Sequence, residues 1–166
     1  MKNGLVIADA GPIFSLAIIN ELELLNQLFD EIKISKAVWE EISLDNTTKF
    51  YKRIDHFFKP KITSIKGFNE LTFVMDYGES ESVILYREPN ADFLLVDDKK
   101  ARNIAENFGI KCIGTLGILS VAKNKGIIKE LKPIFEKLIR NNRYYSLKIL
   151  NILLEKHNEP RIKHKT

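Results

Sequence analysis

Phe93-Leu-Leu-Val-Asp97-Asp98-Lys-Lys-Ala-Arg-Asn-Ile-Ala-Glu-Asn-Phe-Gly109-Ile-Lys-Cys-Ile113 is the stretch that decides the fold. Phe93 to Val96 are apolar without alternation, the pattern of a strand buried on both faces. Two acids end that run. The following residues predict a helix from Lys99 to Phe108, stopped by Gly109, whose freedom at positive φ suits the position after a helix. Ile110 to Ile113 predicts a second strand, and a further helix is expected from Thr115. Strand, helix and strand in about twenty residues form a βαβ unit, which requires parallel neighbouring strands.

The upstream sequence repeats this grammar. Leu5-Val-Ile-Ala8 is a short apolar run ending at Asp9-Ala-Gly-Pro12, a strand followed by a turn whose proline suits a helix start. Ile13, Leu16, Ala17, Leu24, Leu25 and Leu28 recur at helical spacings and predict two short helices divided near Asn20. Glu31 to Ser35 alternates like a strand, and Ser35 is a natural N-cap for a helix through Ile42. Residues 45–70 are least legible, with a helix expected around Phe50 to Phe58 and a strand within Lys61 to Ile65. Asp76 predicts the N-cap of a helix through about Arg87, with Glu79 three residues on to close a capping box. After Gly126 the spacing predicts helices only, over Lys129 to Arg140 and Ser146 to Glu155. The expected architecture is α/β, a parallel sheet covered on both faces with extra C-terminal helices. The expected organisation is one domain over residues 1–158 and a basic tail over 159–166.

The 166 residues carry a net charge of +4, unevenly distributed. Residues 1–122 sum to −4 and residues 123–166 to +8. A basic C-terminal part suits a polyanionic partner, and equally a solvated lysine-rich helix face. The single cysteine, Cys112, precludes an intrachain disulfide, and no zinc-like spacing joins it to His56, His157 or His164, so a reducing cytoplasm is the expected compartment. The N-terminal apolar run is too short for a signal peptide or a membrane span, so no membrane association is expected. A P-loop is absent. A phosphatase with two aspartates two residues apart would need an acid where Gly11 stands. A phosphoacceptor receiver domain would place its acidic pair after the first strand rather than at Asp97-Asp98.

In an open α/β sheet, ligands bind beyond the carboxyl ends of the strands. Asp9, Asp97 and Asp98 belong to that edge, and Glu41 and Glu79 lie on helices that follow loops or turns. Carboxylates within about 5 Å of each other would repel by roughly 3 kcal/mol per pair at an effective dielectric of 20, so such a cluster calls for protons or a cation. Oxygen donors without usable His or Cys favour a hard ion, Mg²⁺ or Mn²⁺, of the kind that assists phosphodiester hydrolysis. On the helix after Ser35, Glu41 lies about 60° from the buried Val38 while Glu40 points nearly opposite it, which selects Glu41. Glu79 and Glu81 both lead apolar residues at helical spacing, and periodicity does not separate them. Asp98 is also a natural N-cap for the Lys99 helix, and Thr115 for the helix that follows the Ile110 to Ile113 strand.

Val6-Ile-Ala-Asp-Ala-Gly-Pro-Ile13, Ala37-Val-Trp-Glu-Glu-Ile42, Asp76-Tyr-Gly-Glu-Ser-Glu81, Leu95-Val-Asp-Asp-Lys-Lys-Ala-Arg102 and Gly114-Thr-Leu-Gly-Ile-Leu119 resemble, in order and spacing, the successive motifs of PIN-domain proteins, nearest to the VapC-like prokaryotic branch. The resemblance spans about residues 4–158. It implies a three-layer α/β/α sandwich and an Mg²⁺- or Mn²⁺-dependent ribonuclease, in many relatives the toxin of a toxin–antitoxin pair. Carried over by position, Asp9 matches the first acid, Glu41 the helical glutamate, Glu79 the third acid and Asp98 the last, with Asp97 and Glu81 as second possibilities. Asp9, Asp98, Asp97 and Glu79 are then the candidate metal ligands. Lys99, Lys100, Arg102 and Thr115 are the candidate RNA contacts. A homodimer and a small antitoxin are the partners it implies. Gly11 departs from the pattern, since relatives often carry a hydroxyl or amide side chain there, and this motivates the alternative of a weakly active or inactive module that binds RNA or protein.

Overall fold

The computed structural model describes residues 2–163. The first two thirds of the chain build a five-stranded sheet. β1 (Leu5–Ala8) leads through α1 (Ala10–Ile19) and α2 (Glu23–Leu28) to β2 (Glu31–Ser35), then through α3 (Lys36–Ser43) and α4 (Tyr51–Phe58) to β3 (Ile62–Thr63). α5 (Tyr77–Arg87), β4 (Phe93–Leu95), α6 (Lys99–Asn107), β5 (Cys112–Ile113) and α7 (Thr115–Asn124) come next. The strand order is β3-β2-β1-β4-β5 and every pairing is parallel.

That order explains the layers. The chain steps outward from β1 through β2 to β3, then crosses back to the other side of β1 to lay down β4 and β5. Right-handed crossovers in opposite directions put their helices on opposite faces, α1 and α2 on one and α5 and α6 on the other. The result is a three-layer α/β/α sandwich. β1 is central, and Val6, Ile7 and Ala8 have no exposed surface. On the α5 and α6 side, Ile7 and Leu94 pack with Val83, Leu85, Ala101, Ala105 and Ile110 in one apolar cluster. Ile13, Leu16, Leu24, Leu25 and Leu28 of α1 and α2 are also fully buried. Each such side chain contributes roughly 1.5–3 kcal/mol by leaving water.

Local signals place the element ends. Asn20 adopts φ 66° and its amide closes onto Leu16 and Ala17, dividing α1 from α2 where expected. The Ser35 hydroxyl accepts the Val38 amide at 3.1 Å, so β2 passes directly into α3. Asp76 and Glu79 form the expected capping box, and Gly109 takes the positive φ that ends α6. The strand expected over Lys61 to Ile65 is only Ile62–Thr63, and a 3₁₀ turn at Glu70–Phe73 was not foreseen.

The chain divides into two compact units, one up to Thr115 and one from Leu116. The second carries most of α7, then α8 (Lys132–Arg140) and α9 (Leu147–Lys156). The helix expected from Lys129 begins at Lys132, one residue before Pro133, whose lack of an N–H suits only a first turn. Glu159 accepts the Leu131 and Lys132 amides at 2.8–2.9 Å and so caps α8, while Lys123 neutralises it at 3.0 Å. These bonds hold its carboxyl below the usual range against the desolvation that opposes them. His164 and the other basic residue of the tail's end, Lys165, lie outside the described residues. Among the described residues no helix is long and apolar enough to cross a membrane.

Candidate active site at the carboxyl edge of the sheet

Asp9 is the first residue beyond β1, and its amide donates to the Leu95 carbonyl of β4 at 3.0 Å, extending the ladder by one bond. This fixes the residue at the end of the central strand. It is only 8% exposed. Its carboxyl is pushed up to about 7, chiefly by burial and then by the negative charges of Glu41 and Glu79. Hydrogen bonds from the Ala10 amide and the Ser82 hydroxyl, the latter at 3.5 Å, oppose the shift without cancelling it.

The other acids come from α3 and α5, which pack against each other. Glu41 is raised by burial and by Asp76. Glu79 is raised by burial, Asp98 and Asp76, while its bond to the Asp76 amide and the charge of Lys100 pull the other way. Glu40 pairs with Lys36 at 3.7 Å, whereas it is the charge of Glu41 that acts on Asp9. Asp76 joins this field although sequence reasoning assigned it only a cap. The signal was available, because a cap residue stands at the same helix end as Glu79. Ser82 was missed as well. It lies three residues after Glu79, on the same face of α5, and its hydroxyl bonds the Gly78 carbonyl at 2.9 Å beside Asp9.

Gly78 lets α3 and α5 approach. A Cβ there would stand 3.0 Å from Glu41 Oε2 and 3.6 Å from Val38 Cγ2. Gly78→Ala should leave thermal stability within about 1 kcal/mol of wild type, because the gain in helix propensity offsets the crowding. It displaces the Glu41 carboxylate, so a roughly tenfold loss of any activity that uses Glu41 is expected. Thermal melts and cleavage rates on one preparation check the split.

Glu81 does other work. It is 5% exposed, and its Oε2 accepts the Ala37 amide at 2.9 Å, capping α3 together with Ser35. The Tyr77 hydroxyl also bonds it, which raises the tyrosine's pKa. A carboxylate on a helix N-terminus is satisfied without a ligand. Glu81→Ala should cost about 2 kcal/mol by stranding a buried amide, and Glu81→Gln, which retains an acceptor, under about 1 kcal/mol. Urea titration of both variants checks this.

The acids at the end of β4 divide similarly. Asp97 accepts the Thr115 amide on Oδ1 and the Thr115 hydroxyl on Oδ2, both at 2.7 Å. The amide and hydroxyl of Thr115, a fully buried residue expected to meet phosphate, are therefore engaged by Asp97. Asp98 caps α6 through a 2.8 Å bond from the Ala101 amide to Oδ1, yet its charge reaches Glu79. Asp98 is thereby coupled to the acidic field through Glu79. Arg102 is tied to Glu106 at 2.9 Å and to the Cys112 carbonyl at 3.1 Å, while Lys99 and Lys100 are exposed.

The donor set is all oxygen, which suits Mg²⁺ or Mn²⁺. Among the described residues no three His, Cys, Asp or Glu side chains are gathered so that together they could hold a metal ion. Mg²⁺ commonly takes only one or two carboxylates and keeps its waters, so Asp9 with a single neighbouring acid would suffice to hold it.

Comparison with curated proteins and with solved structures returned no match. A family model described as a PIN domain matches residues 5–159, from the first residue of β1 to the glutamate that caps α8. PIN domains are in general nucleases, and the parallel sheet with its acids at the carboxyl edge accords with that match. The chain belongs to the PIN-domain family.

Proposed function

We propose that the protein is a metal-dependent endoribonuclease whose centre is Asp9. The observation that carries this reading is the Asp9 carboxyl, buried at the end of the central strand and raised to about 7 by desolvation and two further acids. A site that keeps mutually repelling carboxylates near a buried one is poised for a divalent cation. Mg²⁺ or Mn²⁺ bound there would lower the pKa of a water and offset charge developing on a phosphate. Asp9 and Asp98 are assigned as ligands, and Glu41 and Glu79 as the groups that orient the attacking water. Ser82 places a hydroxyl 3.5 Å from Asp9 on the α5 side of the site, and Gly11 supplies no side chain. Lys99 and Lys100, exposed next to Asp98, are the candidates to meet the RNA backbone. Toxin action, a small antitoxin, a homodimer and a cytoplasmic location are the wider setting in which we place this activity.

Titration calorimetry with Mn²⁺ tests the reading. Wild type should bind and Asp9→Asn should not. The alternative, an inactive module motivated by Gly11, expects no Asp9-dependent binding and RNA affinity that persists in chelator without cleavage.

A further inference from the structure

The second unit carries a surface that the acidic site does not use. From Lys137 to Leu154 the sequence holds four basic side chains, Lys137, Arg140, Arg143 and Lys148, and no acidic one. At its centre is the turn between α8 and α9. Asn142 takes φ 58°, and the Asn141, Asn142 and Arg143 amides fold back onto the carbonyls of Lys137, Leu138 and Ile139. The Asn141 side chain adds a bond to the Lys137 carbonyl at 2.8 Å. The α8 end is therefore closed by its own hydrogen bonds, and the chain leaves it in a fixed direction. Directly after this cap stands Tyr144, 91% exposed, between the exposed Arg140 and Lys148. The nearest acids after the stretch, Glu155 and Glu159, are paired with Arg161 and Lys123.

We infer that the α8–α9 turn is a contact for single-stranded RNA, with Tyr144 stacking on a base and Arg140 and Lys148 meeting phosphates. Along the chain Tyr144 stands exposed between Arg140 and Lys148, with Glu136 the nearest acid on the α8 side, one helical turn before Arg140, and an exposed aromatic flanked by cations has the composition of a strand-binding platform. Stacking on a protruding ring needs an unpaired base, which separates single strands from duplex. A protein partner would draw instead on Ile149 and Ile152, the half-exposed pair on α9, which carry no charge preference. The inference rests on the nuclease reading only for the choice of RNA as the polyanion.

The test is fluorescence anisotropy of the full-length wild type in EDTA, with a labelled oligouridine of about 12 nucleotides and an RNA duplex of equal length. Tyr144→Ala should weaken oligouridine binding roughly tenfold, and Tyr144→Phe should restore it. Arg140→Ala with Lys148→Ala should lower the slope of log affinity against log salt by about 1.4. Duplex should bind more weakly and be indifferent to Tyr144. Absence of oligouridine binding by wild type, or unchanged affinity and salt slope in these variants, overturns the inference. So does a change in oligomeric mass in the Tyr144→Ala variant without a change in RNA affinity. Loss of binding in Tyr144→Ala beside a wild type that never cleaves would remove the nuclease reading and leave this one standing. Cleavage with unchanged Tyr144→Ala binding would do the reverse.

Discussion

Asp9→Asn should be more stable than wild type at pH 8 in EDTA, and its advantage should vanish at acid pH. The unfolded chain's Asp9 titrates near the ordinary value of 3.8 and the native one near 7. Between these values the native state binds a proton that the unfolded state has released, so stability falls as pH rises from about 4 to about 7. Below that window the burial of Asp9 costs nothing as charge, and above it the full charge penalty applies. The two values set a ceiling on the order of 4 kcal/mol. Asparagine removes the charge but leaves a buried polar amide, so a gain of about 2 kcal/mol is expected, roughly 4–8 °C in a chain of this size. Glu41 and Glu79 are raised in the same direction and Glu159 is lowered, so wild type alone will show a composite pH dependence. The difference between wild type and variant isolates Asp9. Thermal melts from pH 4 to pH 8 measure it, and a variant less stable than wild type at pH 8 would remove the electrostatic basis of the site.

Asp97→Ala is expected to do the opposite. Both oxygens of Asp97 are used on Thr115, and Thr115 is fully buried, so truncation leaves an amide and a hydroxyl without their partner. Hydrogen bonds to a charged acceptor are the stronger kind, and the loss should amount to about 2–4 kcal/mol. Asp97→Asn still offers one acceptor to the amide and a donor to the hydroxyl, which can rotate to receive it, and should cost about 1 kcal/mol. The pair separates a structural clasp from a metal ligand. A clasp gives Asp97→Asn near-normal activity per folded molecule, whereas a ligand gives a stable protein that has lost it. Urea titration and cleavage assays on both variants decide between them.

The features legible in the sequence were those that depend on near neighbours. The unbroken apolar runs at Leu5–Ala8 and Phe93–Leu95 gave parallel buried strands, and Ser35, Asn20 and the Asp76–Glu79 box gave the helix ends, because each acts within four residues. The acids at the carboxyl edge could be placed from topology, since a residue directly after a parallel strand has one place to go. Long-range commitments were not legible. Glu81 reaches the Ala37 amide 44 residues away, Ser82 reaches Asp9 across 73, and Asp97 reaches Thr115 across 18. Nothing in the period of α5 distinguishes Glu79 from Glu81 until α3 is beside it. Once it is, one acid caps a helix and the other adds its charge to the field at Asp9. The 3₁₀ turn at Glu70–Phe73 is set by Asn69, whose side chain accepts the Leu71 amide and bonds Ser80, a contact that also needs α5 in place.

Asp9 is proposed to bind the ion on which RNA cleavage depends. The direct measurement is the rate of cleavage of a labelled single-stranded RNA as Mn²⁺ is titrated into metal-free protein, for wild type and Asp9→Asn at pH 8. Wild-type cleavage is expected to rise from none in EDTA to a plateau, with Asp9→Asn at least about 100-fold slower at every concentration. Equal rates for the two proteins, cleavage that ignores the metal, or no cleavage by wild type at any concentration would contradict it.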